Sequence, residues 1–221
     1  MRILVDGLRE LLRRSPRAAL GALAVALWAT VFQATAAATV MVEVPLERMV
    51  RESEAIVVGR VERVGVRLVM LPGGGSEPHT ITTIRAVEWI KGQGGERVRV
   101  DEIGGVMEQG GMVIEGTPAY RVGDEVVVFL RRTPEGAMRT YAMVQGQFHI
   151  VRGIGGADDV VVRDTRAIGF ASWASGPMTI EHGGVRAMRL DDFLGYLRDL
   201  VQQVEVDPGT TSGDALGGGA R

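Results

Sequence analysis

The stretch Ser53–Val64, SEAIVVGRVERV, constrains the fold more than any other part of the chain. Its side chains alternate with the period of a β-strand: Ala55, Val57, Gly59 and Val61 fall on one face, Arg60 and Glu62 on the other. Ile56 and Val58 make its first half apolar on both faces, as in a strand covered from both sides. Gly59 offers no side chain to pack in mid-strand, which marks a bulge or a tight bend.

Short valine-rich runs of this kind recur along the chain, separated every 8–12 residues by turn signals, the pattern of a barrel or sandwich. The 31 glycines, about twice the usual share, favour many tight turns over long helices. Thr80–Ile90 and Arg97–Asp101 read as a hairpin across the turn Lys91–Gly95, with Val98 and Val100 inward and Arg97, Arg99 and Asp101 outward. Leu71–His79, with two prolines and three consecutive glycines, reads as a loop, and Gly104–Gly111 as a glycine-rich connection. Met112–Glu115 is expected as a short strand, and Glu125–Leu130, EVVVFL, as the most buried one. Arg139–Val144, Gln147–Val151 and Val160–Arg163 follow as strands, and Ile168–Pro177 as irregular chain.

Two helices frame these strands. Pro45 suits the first turn of a short helix, with Leu46, Met49 and Val50 on one face and a Glu47–Arg51 pair on the other. Near the end, Asp191 suits an N-cap, and Phe193, Leu194, Leu197, Leu200, Val201 and Val204 form one apolar stripe. Arg198, Asp199, Gln202 and Gln203 face away from it. Gly195 weakens this helix by about 1 kcal/mol, so packing must hold it. Glu205–Arg221, rich in Gly, Thr and Asp, is expected to be disordered.

The first 38 residues are set apart from the fold. Arg2, Arg9, Arg13, Arg14 and Arg17 against Asp6 and Glu10 precede an apolar run from Ala18, and small residues at Ala34–Ala38 fit a cut after Ala36 or Ala38. A cleaved export signal is the leading reading. The run Ala18–Ala38 is also long enough for an uncleaved anchor, and a buried helix is a third reading. Residues 1–38 carry net +3 of a total of −2, which leaves the mature chain near −5. An acidic chain without a basic stripe argues against nucleic-acid binding. The chain has no cysteine, and its length is enough to form a core without disulfides. Lys91 is its only lysine, every other basic side chain being arginine apart from three histidines, a bias of composition rather than a recognition surface.

The order of features resembles that of exported bacterial β-barrel domains. A short helix precedes SEAIVVGRV, a strand ends in Trp89-Ile90-Lys91-Gly92, and a glycine pair follows at Gly104-Gly105. PAYRVGDE at Pro118–Glu125 then runs into VVVFL, followed by Gln145-Gly146-Gln147-Phe148. The pattern is also similar to the OB-like barrel of netrin modules and tissue inhibitors of metalloproteinases, over about Leu46–Ile150. The resemblance implies a mainly β chain: an OB-like antiparallel β-barrel with a short N-terminal helix and a C-terminal amphipathic helix, spanning residues 39–204. The inhibitors act through an N-terminal cysteine that reaches the protease zinc. This chain has no counterpart, so inhibition does not carry over.

No catalytic, cofactor or metal motif stands out. His79, His149 and His182 are scattered and form no H-E-x-x-H; they are expected in a loop, on an outward strand face and in a turn, and a zinc site would need them to converge with a carboxylate. Gly104–Gly111 and Gly153–Gly156 do not match a phosphate loop. The pairs Asp158-Asp159 and Asp191-Asp192 lack the spacing of a calcium loop, and the second suits a helix cap. Glu43, Glu47, Glu52 and Glu54 read as a solvated helix face and its flank. There is no G-x-S-x-G and no Cys–His pair; Ser172 and Ser175 flank Trp173 in a loop and could meet His182 only through the fold. Trp89 and Trp173 read as core or rim packing.

The reading is therefore an exported, periplasmic or secreted, non-catalytic domain that binds a protein or cell-envelope component without a cofactor. Its binding surface is expected on the barrel's open face and the loops Leu71–His79 and Gly104–Gly111. Contact with a membrane would run only through Ala18–Ala38, if uncleaved. The alternatives are a hydrolase or metal-dependent enzyme whose site is assembled only in three dimensions, and an anchored structural subunit.

Overall fold

The computed structural model describes residues 39–108, 110–172 and 178–206. Residues 1–38, with the expected export signal, the pair Trp173 and Ser175, and the chain beyond Val206 lie outside the described residues.

The chain is mainly β. In order, the elements are β1 (Thr39–Val42), α1 (Leu46–Glu52), β2 (Ala55–Met70), β3 (Ser76–Lys91), β4 (Arg97–Ile103), β5 (Gly105–Met107) and β6 (Gly110–Met112). Then come β7 (Glu125–Arg132), β8 (Met138–Thr140), β9 (Gln147–Val151), β10 (Val160–Asp164), β11 (Ile168–Ser172), β12 (Thr179–His182), β13 (Val185–Arg189) and α2 (Leu190–Val206). The main sheet runs β13-β10-β9-β7-β2-β3-β4-β8, and β7 pairs with β8 as well. The pairings β2–β3–β4–β8–β7–β2 thus form a circuit, antiparallel except for the single parallel pair Val100–Met138 between β4 and β8. A small second sheet orders β1-β11-β12, and β5 with β6 makes a miniature hairpin.

Strand β2 is central because its first half serves two partners: Ala55–Arg60 pair with Leu130–Glu125 of β7 while Ile56–Arg60 also pair with β3. Its double apolar face follows. Ala55, Val57 and Val61 join Ile84, Val98, Val100, Tyr120, Val126, Val128 and Leu130 in one core. On the other face Ile56 and Val58 join Val127, Phe129, Phe148, Ile150 and Val161 beneath α1 and α2. The register with β3 shifts at Val58/Gly59, as the glycine suggests. A Cβ at Gly59 would lie 2.5 Å from the Arg85 carbonyl oxygen and 2.6 Å from Ile84 Cγ2, so only glycine lets the two strands approach this closely. Glu125–Leu130 is the most buried run, with Val126–Leu130 sealed from solvent.

Both helices form where the sequence places them. Met49 and Val50 are buried and Leu46 packs against them. The expected Glu47–Arg51 pair is replaced by Arg48–Glu52 at 2.6 Å, because Glu47 instead accepts a 2.8 Å hydrogen bond from Tyr196 of α2. In α2, Phe193, Leu197, Leu200 and Val201 are buried and Leu194 and Val204 pack at the margin, with Arg198, Asp199, Gln202 and Gln203 outside. The helix begins one residue before the expected cap, at Leu190, with Asp191 and Asp192 in its first turn, and it continues through Glu205 and Val206.

Several expectations are corrected. Only Leu71–Gly75 turns; Ser76 to His79 belong to β3, and Pro78 is tolerated because its carbonyl, not a missing N–H, makes the contact, accepting the Gly104 N–H at 2.8 Å. Gly104–Gly111 is not a plain connection but contains β5 and β6, while of Met112–Glu115 only Met112 is in a strand. Arg139–Val144 is not one strand. The chain leaves β8 after Thr140 and enters a 3₁₀ turn at Met143–Gly146, with Ala142 and Met143 at φ 58° and 56°. Buried Gln145 explains the turn: its amide accepts the Val44 N–H at 2.9 Å and donates to the Val42 carbonyl at 3.1 Å, tying β1 and the approach to α1 to the main sheet. Ile168–Ser172 is a strand paired in parallel with β1, a distant partner that no local pattern reveals, and β1, β12 and β13 were likewise not anticipated.

Candidate functional site

One half-open concavity of the described structure combines an apolar wall with convergent charge. It lies where the approach to α1 and the start of α2 cover the outer strands β9, β10 and β13. The cavity measures about 220 Å³ and is lined by Val44, Pro45, Leu46, Phe148, Val161, Met188 and Phe193, with Glu43, Arg163 and Arg186 at its polar side. Strand pairing places the two arginines. Arg163 of β10 stands directly opposite Arg186 of β13, and Val161 opposite Met188, so one apolar and one cationic cross-strand pair sit two residues apart on the same face.

Glu43 reaches this pair from the segment between β1 and α1. Its Oε1 accepts from Arg163 Nη2 at 3.2 Å and from Arg186 Nη1 at 2.9 Å. Arg163 is 8% exposed, whereas Arg186 and Glu43 face solvent. The Arg163 guanidinium lies 5.6 Å from the centroid of Phe148, which in turn packs on Phe193 at 4.8 Å. Burial, and then the neighbouring Arg186, hold the Arg163 guanidinium below its ordinary value, and Glu43 opposes them. Two cations therefore share one carboxylate oxygen. The arrangement can bind an anion that carries an apolar group. No pattern in the sequence marks it: Arg163 and Arg186 are 23 residues apart and Glu43 is 120 from Arg163. The usable signal was an arginine inside the valine run of Val160–Arg163.

A second polar cluster, with a buried centre, lies across β2, β3 and β4. Arg67, Glu77, His79 and Asp101 share one face. His79 Nδ1 meets Asp101 Oδ1, His79 Nε2 lies 3.0 Å from Glu77 Oε1, and Arg67 Nη2 donates to Asp101 Oδ2 at 3.1 Å. His79 is thus not in a loop but buried within a strand, and Asp101, expected outside, is buried beneath it. The two ring nitrogens point to opposite carboxylates, a geometry that braces strands rather than offering a free nitrogen. On the opposite face of β4, Glu102 accepts the Thr140 N–H at 2.8 Å and Tyr120 Oη meets Thr140 Oγ1 at 2.6 Å. Burial pushes the Glu102 carboxyl up, against the bonds from Thr140, and burial raises the Tyr120 hydroxyl as well.

The other singled-out residues do not converge. His149 is half-buried with Nδ1 3.8 Å from Asp124, and His182 is exposed at the end of β12 rather than in a turn. Asp159 accepts from Arg152 and from the Gly153 N–H, Asp158 pairs with Arg189 at 3.0 Å, and Asp192 lies 3.6 Å from the same arginine. Glu52 accepts from Tyr141 at 2.5 Å, and Glu54 from the Arg132 N–H at 2.9 Å. The Trp89 indole donates to Gly95 and packs at the rim of the second core. Among the described residues no group of three or more His, Asp and Glu side chains could hold a metal ion, and no helix is long and apolar enough to cross a membrane. Lys91 has a structural role that composition hid. Its ammonium donates to the carbonyls of Val50, Arg51 and Ser53 at 2.6, 3.1 and 2.6 Å, closing the C-terminal end of α1, and burial lowers its pKa.

No family model, no curated protein and no solved structure matches the chain.

Proposed function

We propose that this chain is an exported, non-catalytic binding domain of the cell envelope, periplasmic or secreted, and that its ligand site is the pocket at Arg163. The observation that carries the reading is a buried guanidinium held against an apolar wall by a single shared carboxylate. Specific small-molecule and partner sites have this composition, a mostly apolar concavity with a few convergent polar groups. We further read the main sheet as an OB-like barrel, similar to that of netrin modules. Numbering the strands of the circuit in chain order gives 1-2-3-5-4-1 with strands 3 and 5 parallel, which supports this reading. OB folds bind on their strand 2–3 face and adjoining loops; the pocket lies instead on the added strands β9, β10 and β13.

Two measurements test this. Expression in a Gram-negative host, osmotic shock and mass spectrometry of the N-terminus should find the chain in the periplasmic fraction, cut after Ala36 or Ala38; a cytoplasmic chain that retains Met1 would overturn export. Native mass spectrometry after incubation with an envelope extract should show an adduct of the chain that Met188→Trp, which fills the pocket mouth, loses. An adduct equally abundant on the variant would overturn the pocket as the site.

A further inference from the structure

We propose that the pocket at Arg163 takes a small monocarboxylate: one carboxylate joined to one apolar group about the size of a benzene ring or a branched side chain. The inference rests on the reading of this pocket as the ligand site and names what enters it.

Charge argues for a single added anion. Arg163 and Arg186 face each other across paired strands, where like charges repel. Glu43 offsets one of the two positive charges and uses one oxygen to do so. A monoanion completes neutrality at the mouth; a dianion would overshoot it. The planar guanidinium fork is matched to a carboxylate, and Arg163, nine-tenths buried, holds its fork in place against Phe148.

Size argues for one apolar group. The wall of Leu46, Phe148, Val161 and Phe193 lines a half-open concavity of about 220 Å³. A dry apolar cavity of about 150 Å³ admits benzene, so this one has room for a ring or a branched aliphatic group. Such chemistry has two sources, a free aromatic or branched-chain acid and the C-terminal residue of a peptide with an apolar side chain.

Isothermal titration calorimetry on the 221-residue chain tests the proposal with three probes: 3-phenylpropanoate, its neutral amide 3-phenylpropanamide, and N-acetyl-phenylalanine. The acid is expected to bind about tenfold or more tighter than the amide, the effect of one charge-assisted hydrogen-bond pair. Arg186→Gln, at an exposed position, should lose about that factor. Glu43→Gln removes the competing carboxylate and should tighten acid binding several-fold. Tighter binding of N-acetyl-phenylalanine than of 3-phenylpropanoate assigns the peptide terminus as the source; the reverse assigns the free acid. Equal binding of acid and amide overturns the carboxylate while leaving the pocket as a ligand site. Binding of neither, with an unchanged circular dichroism spectrum, overturns the pocket itself.

Discussion

The two buried polar clusters differ in how their charge is balanced. Across β2, β3 and β4, each partner of His79 is matched: Asp101 and Glu77 flank the ring, and Arg67 completes Asp101. At the pocket, two arginines crowd one oxygen of Glu43, and among the described residues the buried guanidinium of Arg163 has Glu43 as its anionic partner. A matched cluster in a strand interior serves stability, because each buried group is satisfied within the chain. An unbalanced one beside an apolar cavity is poised for something from outside, and its residues contribute less to folding.

Variants can break or sharpen that contrast. The largest effect is expected at the matched cluster: Asp101→Ala leaves His79 and Arg67 without their shared acceptor and should cost about 3–5 kcal/mol of stability in urea unfolding. A loss below 1 kcal/mol would show that the brace is dispensable. Overpacking at Gly59 supplies a reference that involves no charge. Gly59→Ala drives a methyl into the Arg85 backbone and should cost about 1–3 kcal/mol, measured the same way.

Arg163→Met is expected to change stability by less than about 1 kcal/mol, since Glu43 is exposed and keeps Arg186, and an apolar side chain suits the wall. A cost as large as that of Asp101→Ala would make the two clusters equivalent and erase the distinction. The smallest effect concerns Glu102. Its carboxyl is pushed up by burial, so between its unfolded and folded pKa values the folded state binds more protons, and stability falls as pH rises through that window. Glu102→Gln keeps an acceptor for the Thr140 N–H. It should match the parent at pH 4 and melt slightly higher at pH 8; a melting temperature that is lower at both would refute the assignment of cause.

Elements that carry their own side-chain periodicity were legible from the residues. The mainly β class, the doubly covered start of β2, the hairpin of β3 and β4, the buried run of β7 and the stripe of α2 all follow from side-chain periodicity, which is local. Gly59 was readable because the need for close approach leaves a residue type behind. The role of Lys91 was not legible because its partners are backbone carbonyls, which carry no sequence signature.

What remained hidden depends on distant pairing. Strand β11 exists because β1 runs alongside it, and β1 is held by the amide of Gln145. The chain breaks after Thr140 to deliver that amide, against the strand propensity of its own residues. The pocket belongs to the same class. Composition and periodicity determined the central strands β2, β3, β4 and β7, the two helices and the cores they build, because burying apolar side chains is specified residue by residue. Only the tertiary structure decided that Glu43, Arg163 and Arg186 meet, because a charge cluster is defined by where the chain returns and not by any spacing along it.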